Sequence, residues 1–225
     1  MLAQQMAHPL SLAYALGMAA AFHQLRREWQ TVRKHAEAAI RLALEQRFSF
    51  WMAWGAMLRG WALAQQGQAQ EGMEQITQGL TAHRATGAKG GRSNWLALLA
   101  EAHGIMGQSE AGLTALTEAL IFAETTGERL YEPELYRLKG ELLLQQSKDN
   151  QADAENCFHH ALEIARNQQA KSFELRATTS LARLWQSQGK RDAARQVLGD
   201  VYNWFTEGFD TADLQDAKSL LDELA

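Results

Sequence analysis

An all-α chain, folded as an α-solenoid of about five helix pairs, is what this sequence predicts, and three observations carry the prediction. Only two prolines interrupt 225 residues rich in Ala, Leu, Gln and Glu, residue types that keep most of their side-chain freedom in a helix. A small residue recurs at Ala20, Gly60, Ala100, Gly140 and Ala182, with spacings of 40, 40, 40 and 42. A triplet of mostly small, large, small residues moves in step with it: Val32, Ala36, Ala39; Gly72, Ile76, Gly79; Gly112, Leu116, Ala119; Ala154, Phe158, Ala161; Ala194, Leu198, Val201. One helix pair of this size cannot bury its apolar face alone, so neighbouring pairs must stack into a continuous core.

Residues 131–164 show the unit whole. Pro133 suits a first helical turn, where its missing N–H is not needed, and Leu135, Leu138 and Leu142 follow at helical spacing. The polar run Ser147-Lys148-Asp149-Asn150 breaks the first helix. In the second, the ring of Phe158 sits between Ala154 and Ala161, so another helix can approach closely at both ends while the ring fills the middle.

In chain order, residues 1–7 (MLAQQMA) lie 40 positions before Leu42, Ala43 and Glu45 in matching phase and read as the tail of a truncated repeat. Leu2 and Met6 supply no polar cap there, so the N-terminal end is expected to fray or to find a partner, either a neighbouring copy through self-association or an upstream repeat. Repeats then occupy 8–47, 48–87, 88–127, 128–169 and 170–208 of a single domain, 1–225. Gly67, Gly107 and Gly189 mark turns between paired helices, and Thr86-Gly87 and Thr126-Gly127 close the second and third units; glycine ends a helix in the left-handed conformation without a Cβ penalty. The two-residue slip in the period falls in Ser147–Asn150, which replaces such a glycine turn. Gly208 is expected to break the fifth pair's second helix. Asp210 with Asp213 reads as a capping arrangement for a final helix in 209–225, with Leu214, Ala217, Leu221 and Leu224 on its apolar stripe and Asp216, Lys218 and Asp222 facing water.

These units resemble tetratricopeptide repeats, a family that alternates a small first-helix residue with a small, large, small triplet in the second helix. The resemblance implies a right-handed superhelix. The standard unit is about 34 residues, and a longer period also suits HEAT and armadillo repeats, so a HEAT-like pairing is the second reading. The stretches LRATTSLARLWQSQGKRDAARQVL and VYNWFTEGFDTADLQDAKSLLDEL, with HQLRREW and RGWALAQQGQ, are similar to the C-terminal repeat region of large bacterial signalling proteins that carry a nucleotidyl cyclase domain and a regulatory ATPase domain ahead of the repeats. That likeness implies the repeat portion only.

The charge of −4 gives no reason to expect nucleic acid as a partner. Arg26, Arg27, Arg33 and Lys34 are interleaved with Glu28 and Glu37 and read as a solvated face. Cys157 is the single cysteine, which excludes an internal disulfide and fits a reducing, cytoplasmic setting. The apolar run from Pro9 to Phe22 has no Lys or Arg before it and is too short for a membrane span. Gly87 to Ser93 is glycine-rich but lacks the GxxxxGK(S/T) spacing of a phosphate loop and reads as a linker. Among seven histidines none forms HExxH, and adjacent His159 and His160 point about 100° apart on a helix. His23 and His103 read as packing residues. With no nucleophile elbow and no cysteine-histidine signature, neither a cofactor, a metal nor an enzyme activity is expected.

The tetratricopeptide resemblance implies a binding surface instead. In that family the first helices line a concave face, and the contact positions flank the small residue. Here they are Tyr14, Trp54, Met57, Trp61, Asn94, Glu101, Glu134, Arg137, Glu141, Arg176 and Arg183. Aromatic and sulfur side chains gather in the first two units and charged ones in the last three, which suits an extended partner with an apolar and a charged end. Two residue-level alternatives stand beside this: Trp54 and Trp61 as core, and Glu134, Arg137 and Glu141 as an ion-pair ladder on one helix. The functional expectation is a non-catalytic scaffold that binds a peptide or protein. The alternative is a regulatory arm bound to upstream ATPase and cyclase domains of its own polypeptide.

Overall fold

The computed structural model describes residues 8–225. Among them the regular structure is helical throughout, in two compact units, Met1–Gln108 and Ser109–Ala225. The truncated-repeat reading of residues 1–7, with Leu2 and Met6, lies outside the described residues.

The first unit holds α1 (Pro9–Leu25), α2 (Trp29–Gln46), α3 (Ser49–Gln65), α4 (Ala69–Ala85) and α5 (Arg92–Ile105). Pro9 opens α1 and the His8 side chain accepts from the Ser11 N–H, relieving one of the unpaired donors of the first turn. The turn after α3 needs glycine, because Gly67 has φ +87°. Its counterpart one period earlier, after α1, is Arg27, which takes φ +60° with a side chain in place. Helices α3 and α4 touch backbone to backbone. A Cβ added at Gly60 would lie 2.6 Å from the Gly72 carbonyl oxygen, and one at Gly72 would run into the Gly60 carbonyl. Val32, Ala36, Ala39 and Ile76 are fully buried, as the triplet pattern requires.

The second unit holds α6 (Ser109–Thr126), α7 (Glu132–Gln146), a three-residue 3-10 turn (Lys148–Asn150), α8 (Gln151–Asn167), α9 (Lys171–Ser187), α10 (Arg191–Tyr202) and α11 (Ala212–Glu223). Phe158 of α8 fills the space under Gly140 of α7, where a Cβ would stand 2.5 Å from the ring. The polar break works by side-chain bonding: Ser147 Oγ accepts from the Asp149 N–H, and Asn150 Nδ2 donates to the Leu143 carbonyl.

The C-terminal end corrects three details. Helix α10 stops at Tyr202, well before Gly208, and Gly208 with φ +77° shapes the loop instead. The N-cap of α11 is Thr211, without a side-chain capping bond, while Asp213 accepts from Arg176 rather than capping. Leu220 is buried with Leu214, Ala217 and Leu224, and Leu221 is only half-buried beside them.

Candidate functional site

In the second unit a polar seam joins three helices. It begins on α7, where Glu134 and Arg137 form a two-point ion pair, Nε to Oε2 at 2.9 Å and Nη2 to Oε1 at 2.8 Å. Arg137 Nη1 also lies 3.5 Å from Glu141 Oε1 and 3.5 Å from Ser180 Oγ of α9. Ser180 donates to Glu141 Oε1 at 2.6 Å. One turn earlier on α9, Arg176 approaches Glu134 Oε1 at 3.6 Å and donates through Nε to Asp213 Oδ2 of α11 at 2.8 Å. Arg176 is 8% exposed. Burial by itself pushes its guanidinium down, but the carboxylates of Glu134 and Asp213 outweigh it and hold it above its ordinary value. The ladder expected within one helix is present, and it is tied to two more helices by residues 37 to 43 positions away.

An interior ion pair is a weak source of stability, because desolvating both charges offsets most of their attraction. Its directional bonds instead hold side chains in fixed orientations. At the seam's open edge Glu141 keeps 40% of its side chain exposed, and Arg183, one turn beyond Ser180, is exposed.

In the first unit the predicted residues separate by depth. Met57 and Trp61 are inside: Met57 packs against Gly79 of α4, and the Trp61 indole donates to Glu101 Oε2 at 2.8 Å, so both serve the core. Glu101 also accepts from Gln65 Nε2 at 2.9 Å. Trp54 is half-buried, donates to the Gly17 carbonyl at 3.3 Å and meets Trp95 edge-on with centroids 4.6 Å apart. Asn94 is half-exposed, and Tyr14 is exposed with its ring edge against Trp51. Trp51, Trp95, Ser180 and Asp213 were not foreseen as partners of these residues. The available signal was register: Ser180 stands two residues before Ala182, the small residue that marks its helix.

The histidines make local contacts. His23 Nδ1 meets Glu28 Oε2 at 2.5 Å, and His103 Nδ1 meets Gln108 Oε1 at 2.8 Å, each bridging from a helix end to the following turn. His159 turns toward Trp185 and His160 toward Tyr136. Among the described residues no three of His, Cys, Asp and Glu gather as a metal-ligand set, and no helix is long and apolar enough to cross a membrane. A hollow of about 290 Å³ lies between α6 and α7, lined by residues that include Ile121, Glu124, Arg129, Glu132, Tyr136 and Lys139. It shares no residue with the seam. Burial, with Glu132 beside it, pushes the Tyr136 phenol up.

No protein-family model matches the chain, and no curated protein matches it in sequence. Solved structures do match. The nearly identical TPR-like repeats of a Podosopora anserina chain described as a kinesin light chain align with TM-score 0.57 at 18% identity, over 87% of this chain and 95% of that one. A Rap protein complexed with Competence and Sporulation Factor aligns with TM-score 0.74 at 16% identity, over 98% of this chain and 59% of that one. The fold is TPR-like. The apo form of RapI aligns over 98% of this chain and 84% of its own, with TM-score 0.63 at 12% identity. This chain therefore spans about three-fifths of the Rap protein in the complex, and the likeness carries the fold.

Proposed function

We propose that this chain is a non-catalytic scaffold that binds a peptide or protein segment along the first helices of its pairs. In the second unit Glu141 and Arg183 are the exposed contacts, and Arg137, Ser180 and Arg176 form the fixed polar layer beneath them. The observation that carries this reading is the seam. It sets charged side chains, bonded from helix to helix, where apolar packing would hold the helices as well, and it leaves one carboxylate and one guanidinium at its open edge. The Rap structure, solved with a bound factor, supports the same reading through its fold.

A peptide array probed with the purified chain tests it. Peptides carrying adjacent basic and acidic residues are expected to bind. Exchange of the rim charges, Glu141→Lys with Arg183→Glu, should weaken them at least about tenfold without changing helicity. Equal binding by both proteins overturns the assignment of these residues.

A second reading, a regulatory arm of a multidomain cyclase or ATPase signalling protein, is supported by the sequence likeness of residues 175–198 and 201–224. The genomic sequence ahead of Met1 tests it. An in-frame nucleotide-binding domain supports the arm, and a ribosome-binding site directly before Met1 overturns it.

A further inference from the structure

The hollow of about 290 Å³ between α6 and α7 lies where other helix pairs of the repeat close on apolar side chains. Leu120 of α6 and Tyr136 of α7 both line it. One period earlier the same positions are Leu80 of α4 and Leu96 of α5, both buried. In the following pair they are Leu162 of α8 and Thr178 of α9, again buried, and Leu181 is buried in the place of Lys139. Here Leu120, Tyr136 and Lys139 are only half-buried, so a phenol and an ammonium stand at core positions beside an open space.

The charges in the hollow are sorted by position. Because the chain reverses through residues 127–131, the lining residues nearest that link are Glu124 of α6 and Glu132 of α7, and those farthest from it are Thr117 and Lys139. Arg129 pairs with Glu132 at 3.4 Å, which leaves Glu124 as the excess negative charge at the link end. Neither Glu124 nor Lys139 forms a hydrogen bond or an ion pair among the described residues. The reason at Lys139 is visible in the register. Arg59, two periods earlier, donates to Gln75, whereas the residue in the place of Gln75 is Cys157, whose thiol is a poor acceptor. One turn before Lys139, burial and the carboxylates of Glu132 and Glu124 keep the Tyr136 phenol protonated and therefore a donor. Leu120 and Ile121 make the middle apolar. From the level of Glu132 to that of Lys139 is about 10 Å along α7, at 1.5 Å per residue.

We propose that this hollow, independently of the seam, binds a linear amino carboxylate: its carboxylate on Lys139 and the Tyr136 O–H, its aliphatic body on Leu120 and Ile121, and its ammonium at Glu124. A negative and a positive end favour a zwitterion over a simple acid or amine. A free tripeptide has a similar reach, at about 3.4 Å per extended residue. Its amide groups would be desolvated against Leu120 and Ile121 without partners, which favours a polymethylene body.

A titration of the methyl-labelled full chain with 8-aminooctanoate, followed by NMR, tests the assignment. The Ile121 and Leu120 methyl signals are expected to shift together and to saturate with a Kd of about 1 mM, as suits so small a ligand. Octanoate and octylamine, each lacking one charge, should bind at least about tenfold more weakly. Lys139→Met should raise the 8-aminooctanoate Kd at least about tenfold and leave octylamine binding unchanged. Glu124→Gln, at an exposed position, should do the converse, sparing octanoate, and it decides the question if the Lys139 variant fails to fold. No shift at Ile121 up to about 50 mM ligand overturns the proposal. So does octanoate binding as tightly as the zwitterion, or a Kd that Glu124→Gln leaves unchanged. Tighter binding of alanyl-leucyl-alanine than of 8-aminooctanoate overturns the choice of an aliphatic body.

Discussion

The Trp61 indole donates to the Glu101 carboxylate across 2.8 Å, and the two residues are 40 positions apart, one repeat. The bond joins consecutive first helices, α3 and α5, inside the first unit. Glu101→Ala leaves a buried N–H unpaired and should cost about 1–3 kcal/mol in a urea melt. Glu101→Gln keeps an acceptor and should cost less. Equal losses in the two variants would mean that the bond is not what matters at this position.

Gly140 and Gly67 test two different needs for glycine. At Gly140 a Cβ would stand 2.5 Å from the Phe158 ring, so Gly140→Ala should destabilise by roughly 1–3 kcal/mol and be partly rescued by Phe158→Leu. At Gly67 nothing lies within 4 Å, and the cost of Gly67→Ala comes from φ +87° alone, about 1–2 kcal/mol with no second-site rescue. Thermal melts of the three variants and the double variant separate the two causes.

Arg176→Met removes a buried cation facing Glu134 and Asp213 and should cost about 3–5 kcal/mol by chemical denaturation. Combining it with Asp213→Leu should recover a large part of that loss, because the carboxylate no longer needs the charge. If the double variant is no more stable than the single one, the seam is held by something other than this pairing.

Acidification should weaken the fold in two windows. Burial pushes Glu174 up, but bonds from Lys171 and Arg166 outweigh it and hold the carboxyl below its ordinary 4.5. Its stabilisation is full above 4.5 and is lost as pH falls through the lowered value, since the unfolded chain takes up the proton first. His35 is held below its ordinary 6.5 by burial and by neighbouring His23 and Lys34, so it draws stability down once pH drops below 6.5. Glu174→Gln should flatten the lower window and His35→Gln the upper one, in melts taken from about pH 3 to 8.

Helix formation, the 40-residue phase, the close-contact positions Gly60 and Gly140, and the glycine turns at Gly67, Gly107 and Gly189 were all legible in the sequence. Each rests on local sterics or on a short period, which neighbouring residues fix among themselves. Depth and partnership were not legible in the same way. Met57 and Trp61 share the residue types and spacing of a binding surface, yet the close approach of α3 to α4 and α5 places them in the core. Asp213 carries the pattern of a helix cap, but Arg176, 37 residues away, takes its carboxylate. Leu220 rather than Leu221 is the deeper leucine because the orientation of α11 against α9 and α10 sets which side of the stripe is covered. A period of 3.6 residues determines which side chains share a face; which neighbour meets that face, and whether it brings a methyl group, a carboxylate or water, is decided only when the helices stack.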